Sequence, residues 1–218
     1  LYGENGRDAI QGDAGNDTAY GGADNDYVYG NDGMDFLSGD EGHDVVDGGN
    51  DDDTLNGGDG DDTVFGGNGW DRLYGDAGND YLDGGADGDV INGDAGNDTI
   101  GDYTGNNIIN GGEGDDTISN VGFSSGVDTI TLGAGRDTVS LNQTIIVSAT
   151  NAVDTVTDFT AGVSGDRIDL NNVANYFQGW TNTTNPFATG HVRVIAGDVD
   201  GDGADDTLLQ IDRNGGGD

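Results

Sequence analysis

The sequence contains no cysteine, no lysine and a single proline among 218 residues. Without cysteine there are no disulfides, no thiolate nucleophiles and no zinc–thiolate sites. Six Arg and two His stand against 40 Asp and 3 Glu, for a formal charge of −37. Such a chain repels phosphate, which excludes nucleic acid and anionic lipid as partners. No apolar run approaches the roughly 18 residues that a membrane-spanning helix needs. Leu, Ile, Val and Phe together number 44, a fraction at the threshold below which highly charged chains stay disordered. No N-terminal signal peptide is recognisable and Leu1 is no natural start, so the chain reads as a piece of something longer.

What the sequence does have is 44 Gly and an acidity carried by Asp rather than Glu. Disorder favours Glu, Ser, Lys and Pro. Asp and Gly are instead residues of tight turns and calcium loops. From Gly3 to Ser119 they recur in 13 consecutive nonads without insertion or deletion, the most regular being GGDGDDTVF, Gly57 to Phe65. Position six is Asp8, Asp17, Asp26, Asp35, Asp44, Asp53, Asp62, Asp71, Asp80, Asp89, Asp98 and Asp116, with Asn107 the exception. Position eight is aliphatic throughout, from Ile10 to Ile118, shrinking once to Ala19. Two looser copies follow, SGVDTIT with Asp128 and GAGRDTVS with Asp137.

One nonad reads as a Gly-rich turn of six residues and a strand of three, such as TVF, with its middle side chain inward. A unit that buries one side chain cannot stand alone. Two nonads therefore make one coil of a flattened right-handed solenoid, and coils stack as parallel strands about 4.8 Å apart. Fifteen nonads predict about seven coils around a narrow aliphatic ladder.

Stacking also sets each position-six Asp near its equivalent two nonads away. Rows of like charge at that spacing repel. A hard dication between turns reverses the sign, and calcium accepts carboxylates with backbone carbonyls in a flexible oxygen shell, whereas magnesium demands a tighter octahedron. A merely solvated acidic face would require neither Asp over Glu nor fixed phase with Gly.

The pattern G-G-x-G-x-D-x-U-x resembles the calcium-binding nonapeptide repeats of RTX (repeats-in-toxin) proteins, from Gly3 to about Ser140. The resemblance implies a parallel β-roll with calcium in both rows of turns, held by position-six Asp and carbonyls of the Gly-rich loop. If each internal site needs turns n and n+2, thirteen nonads offer at most eleven sites, and about ten calcium ions are expected once defects are allowed for. Asp24, Asp51 and Asp87 replace the fourth-position Gly, which is expected to weaken some sites. The nonad DYTGNNIIN has lost two Gly and the Asp, so a poor site is expected around Asn107.

Two parts are expected: residues 1–140, the repeat roll, and residues 141–218, a small β-rich C-terminal cap. Beyond Leu141 Gly thins out, and HVRVIAG and DTLLQID read as two strands of alternating polarity. Val153 to Leu170 resembles the region after the roll in RTX proteins exported by type I secretion, and the terminal strands resemble the end of large RTX adhesins. Between those strands DVDGDGADD places Asp198, Asp200, Asp202 and Asp206 at loop positions one, three, five and nine, with Gly203 at six. That matches the start of an EF-hand-like loop, although Leu209 stands where its bidentate Glu belongs. An acidic hairpin turn and a further calcium site are the two readings.

No catalytic constellation emerges. There is no Ser–His–Asp, HExxH or phosphate-loop pattern, and His43, His191, Trp70 and Trp180 are isolated. Position five reads Arg7, Asn16, Asn25, Met34, His43, Asp52, Asp61, Trp70, Asn79 onward, too mixed for an ice-binding lattice. The expectation is a non-catalytic, monomeric calcium-binding module of a larger secreted or bacterial cell-surface protein, an adhesin above all, with the type I secretion machinery as partner. The alternative is an auxiliary module of an extracellular lipase, protease or polysaccharide-modifying enzyme.

Overall fold

The computed structural model describes residues 1–101, 104–119, 126–140, 155–158, 166–169, 192–197 and 206–211. Among them there are strands and turns and no helix. The strands in chain order are β1 (Tyr2–Asn5), β2 (Ala9–Ala14), β3 (Thr18–Ala23), β4 (Tyr27–Asp32), β5 (Phe36–Glu41), β6 (Val45–Asn50), β7 (Thr54–Asp59), β8 (Thr63–Asn68), β9 (Arg72–Ala77) and β10 (Tyr81–Ala86). They continue as β11 (Val90–Asn92), β12 (Thr99–Gly101), β13 (Ile108–Glu113), β14 (Thr117–Ser119), β15 (Thr129–Ala134), β16 (Thr138–Ser140), β17 (Thr155–Val156), β18 (Arg167–Asp169), β19 (Val192–Gly197) and β20 (Asp206–Ile211).

Odd strands β1 to β17 form one nine-stranded parallel sheet and even strands β2 to β18 a second. The chain alternates between the sheets at every turn, which makes the predicted β-roll. Within the regular nonads the register is a shift of two repeats, as in Leu37↔Leu55 and Leu55↔Leu73 on one sheet and Val46↔Val64 on the other. Position eight is buried in every nonad, and these residues form one cluster with Ile130, Leu132, Val139 and Val156. Ala19 is fully buried too, in register with Leu37.

Most strands of the roll are longer than three residues. TVFGGN, Thr63 to Asn68, is one six-residue strand, so the ladder continues through positions one to three of the following nonad. The turn shrinks to positions four to six. The bend needs left-handed backbone at positions two and four, and glycine supplies most of it, as at Gly58 (φ 112°) and Gly60 (φ 133°). Where glycine is absent, Asp and Asn take its place: Asp24, Asp51 and Asp87 hold φ of 78°, 75° and 76° at position four. Short side chains that bond locally tolerate this region best. The Asp substitutions thus preserve the turn.

Past Ser140 the chain re-enters the stack. β17 pairs in parallel with β15 and β18 with β16. The two predicted terminal strands exist as an antiparallel pair, β19 with β20, from Val192↔Ile211 to Gly197↔Asp206. Asp198, Asp200 and Asp202, and with them His191 and Trp180, lie outside the described residues. Asp206 opens β20.

Candidate metal centres

The position-six residues line up into two rows, one along each edge of the roll. In the first, the N–H of Asp8 donates to Oδ1 of Asp26, Asp26 to Asp44, Asp44 to Asp62, Asp62 to Asp80, Asp80 to Asp98, Asp98 to Asp116 and Asp116 to Asp137, all at 2.7–2.8 Å. In the second, Asp17 donates to Asp35, Asp35 to Asp53, Asp53 to Asp71, Asp71 to Asp89, Asp89 to Oδ1 of Asn107, and Asn107 to Asp128, at 2.7–2.9 Å. Beyond Asp8 and Asp17, which head the rows and only donate, one oxygen of each of these carboxylates is thereby committed to holding the preceding coil. From Asp26 to Asp137 the position-six Asp side chains are buried.

The second oxygen has no such duty. Oδ2 of Asp8, Asp26, Asp35, Asp44, Asp53, Asp62, Asp71, Asp80, Asp89, Asp98, Asp116 and Asp137 is buried without a hydrogen-bond donor. Leaving a buried acceptor unpaired costs about 1–3 kcal/mol, more for a charged group. A dozen in two files is a built feature rather than scattered defects. Burial is the main cause that raises Asp53, Asp62, Asp80, Asp89, Asp98 and Asp116 to about 7 and Asp44 and Asp71 to about 6. The backbone N–H of the preceding coil works against the rise, and neighbouring carboxylates add to it, as Asp44 and Asp61 do at Asp62.

Position-one glycine completes the geometry. A Cβ on Gly57 would lie 2.7 Å from Oδ2 of Asp62 and 2.9 Å from the carbonyl oxygen of Gly75 on the next coil; on Gly75 it would lie 2.5 Å from Oδ2 of Asp80 and 2.6 Å from the carbonyl of Gly93. Carboxylate and carbonyl oxygens converge on a space that only a residue without a side chain leaves open. No group of three or more His, Cys, Asp or Glu side chains gathers among the described residues. What the rows offer is sparse carboxylates beside backbone carbonyls, a hard all-oxygen set of the kind that suits calcium.

Asn107 tests the fit in reverse. It is buried and its Oδ1 accepts from Asp89 as an Asp would, but its Nδ2 donates toward the carbonyl of Thr104 at 3.4 Å. A donor replaces the free acceptor, while the register is kept. His43 is exposed, its Nδ1 accepting from the N–H of Asp61 at 2.7 Å, and Trp70 is 66% exposed.

Two features escaped sequence reasoning. Asp166 extends the first row, with Oδ1 accepting from the N–H of Asp137 at 3.0 Å. Its signal was the Asp–x–aliphatic triplet Asp166–Arg167–Ile168, obscured by the irregular stretch before it. The second feature is a ladder at position five running the opposite way. The N–H of Asn79 donates to Asp61, that of Asn97 to Asn79 and that of Asp115 to Asn97, at 2.7–3.0 Å. This ladder is exposed and needs no ion.

The family profile of the RTX calcium-binding nonapeptide repeat (four copies) matches residues 2–37, 29–64, 65–100, 102–119 and 124–143. A comparison with curated proteins finds no match. With more than half of the chain covered, and the two files of half-used Asp carboxylates repeating in step with the matched unit, the chain belongs to the RTX calcium-binding nonapeptide repeat family.

Proposed function

We propose that this chain is a non-catalytic RTX module of a larger secreted or cell-surface bacterial protein, an adhesin, and that it folds on meeting extracellular calcium. The observation that carries the reading is the double file of buried carboxylate oxygens without donors. Position-six Asp side chains and position-one carbonyls would hold the ions, which supply two positive charges per site.

The chain's own residues account for the switch. Without a counter-charge, the rows oppose stacking, because each buried Asp faces another one coil away. The aliphatic ladder of one side chain per nonad is too thin to offset this. With the carboxylates neutralised, backbone pairing and the core close together, so ligand binding and folding are one event. Extracellular modules bind calcium at roughly 0.1–1 mM, above the level inside a cell. An extended chain inside and a roll outside suit export through a narrow channel of the type I machinery, with about ten ions taken up on emergence. Asp198, Asp200, Asp202 and Asp206 are proposed as a further calcium loop, and residues 141–218 as the C-terminal cap.

Far-UV circular dichroism in chelator and in millimolar calcium tests the central claim. The expected result is coil without calcium and β-structure with it. A full roll in excess chelator would sink the proposal.

A further inference from the structure

Both sheets of the roll end on residues beyond the matched repeats, which stop at residue 143. At the end of the odd sheet, Asp158 spends both oxygens on backbone: Oδ1 accepts from the N–H of Leu132 at 2.7 Å and Oδ2 from the N–H of Gly133 at 2.8 Å.

The even sheet ends on Asp137 and Asp166. β18 pairs with β16 in the register Thr138↔Arg167 and Val139↔Ile168, which repeats Thr117↔Thr138 and Ile118↔Val139 one coil earlier. Asp166 therefore stands in the position-six place of a coil with no nonapeptide sequence. It performs the position-six task, accepting the N–H of Asp137 as Asp137 accepts that of Asp116. Asp137 is fully buried and its Oδ2 lacks a donor, while Asp166 is 8% exposed. Arg136, the adjacent basic residue, pairs with Asp115 instead.

We infer that Asp137 and Asp166 form a further divalent-cation site, taken by calcium, which fastens the segment beyond the repeats onto the roll. Two buried carboxylates share one step of the stack, and one of their oxygens points at no donor. A hard cation satisfies both, as between any two repeat coils. The inference rests on the calcium reading of the rows and extends it to a coil that repeat counting omits. The ion there ties the tail to the roll.

The test uses the whole chain with Asp166→Asn, which keeps Oδ1 for the N–H of Asp137 and removes the charge. Calorimetric titration with calcium alone is expected to give one ion fewer per chain than the wild type. Hydrogen exchange at saturating calcium is expected to show lost protection at residues 167–169 with Thr117–Ser119 still protected. An unchanged ion count overturns the inference. A wild-type chain that binds no calcium overturns the reading of the rows instead. Should the variant fail to fold, Asp166→Ser takes its place, with the same loss of one ion expected and an unchanged ion count overturning the inference.

Discussion

The backbone N–H of Asp62 donates a 2.7 Å hydrogen bond to Oδ1 of Asp80, and Oδ2 of the same carboxylate is buried with no donor. One oxygen thus serves register, and the proposed function gives the other to ligation. Asp80→Asn keeps the first role and loses the second; Asp80→Ala loses both. In saturating calcium the Asn variant should bind fewer ions with its roll intact. The Ala variant should be destabilised by about a further 1–3 kcal/mol, because the N–H of Asp62 is left unpaired. Titration calorimetry with urea unfolding separates the two; identical behaviour would refute the division of labour.

Gly75 has no left-handed backbone to protect, so its lack of a side chain serves space alone. In Gly75→Ala the new methyl meets Oδ2 of Asp80 and the carbonyl of Gly93. The expected outcome is a destabilisation of about 1–3 kcal/mol and weaker calcium binding at that rung. A variant titrating like the wild type would remove that carbonyl from the proposed ligand set.

Acid should substitute in part for calcium. The row carboxylates are raised from 3.8 to about 7 at Asp53, Asp62, Asp80, Asp89, Asp98 and Asp116, mainly by burial. The folded state then binds more protons than the unfolded one between those values. Its proton-linked stability is fully present below about pH 3.8 and is lost as pH rises through about 7. In chelator, acidification from pH 8 to pH 5 is expected to increase β-structure. Calcium affinity is expected to fall over the same range, since protons compete for the same oxygens. Loss of β-structure on acidification would contradict the burial of these groups.

The position-five ladder should act on stability without touching the ion count. Asn79→Ala removes the acceptor for the N–H of Asn97 and the amide donated to Asp61. A cost of about 0.5–1.5 kcal/mol is expected for these exposed bonds, with calcium stoichiometry unchanged. A lower stoichiometry would tie position five to the metal centres.

Leu55 is fully buried between Leu37 and Leu73 in its sheet. Leu55→Ala should cost about 2–5 kcal/mol in calcium-loaded protein and raise the calcium concentration at the folding midpoint. An unshifted midpoint would mean that core and ion binding are not one transition.

Sequence alone determined the roll, its core and its two acidic rows. A contact at a fixed separation of 18 residues repeats through the regular nonads, so position eight and position six announce themselves by periodicity. Tertiary structure decided what periodicity cannot carry. That Asp24, Asp51 and Asp87 hold left-handed turns as glycine does depends on backbone angles. The position-five ladder mixes Asp, Asn and His, so no residue type marks it; its bonds exist only because the turns stack with those side chains facing the next N–H. Asp166 meets Asp137 across 29 residues, where the even spacing has been lost and only folding brings the two carboxylates to one step of the stack. The charge of −37 was legible from the start. Only the stacked chain shows that one oxygen of most row carboxylates holds the preceding coil while the other is buried without a donor.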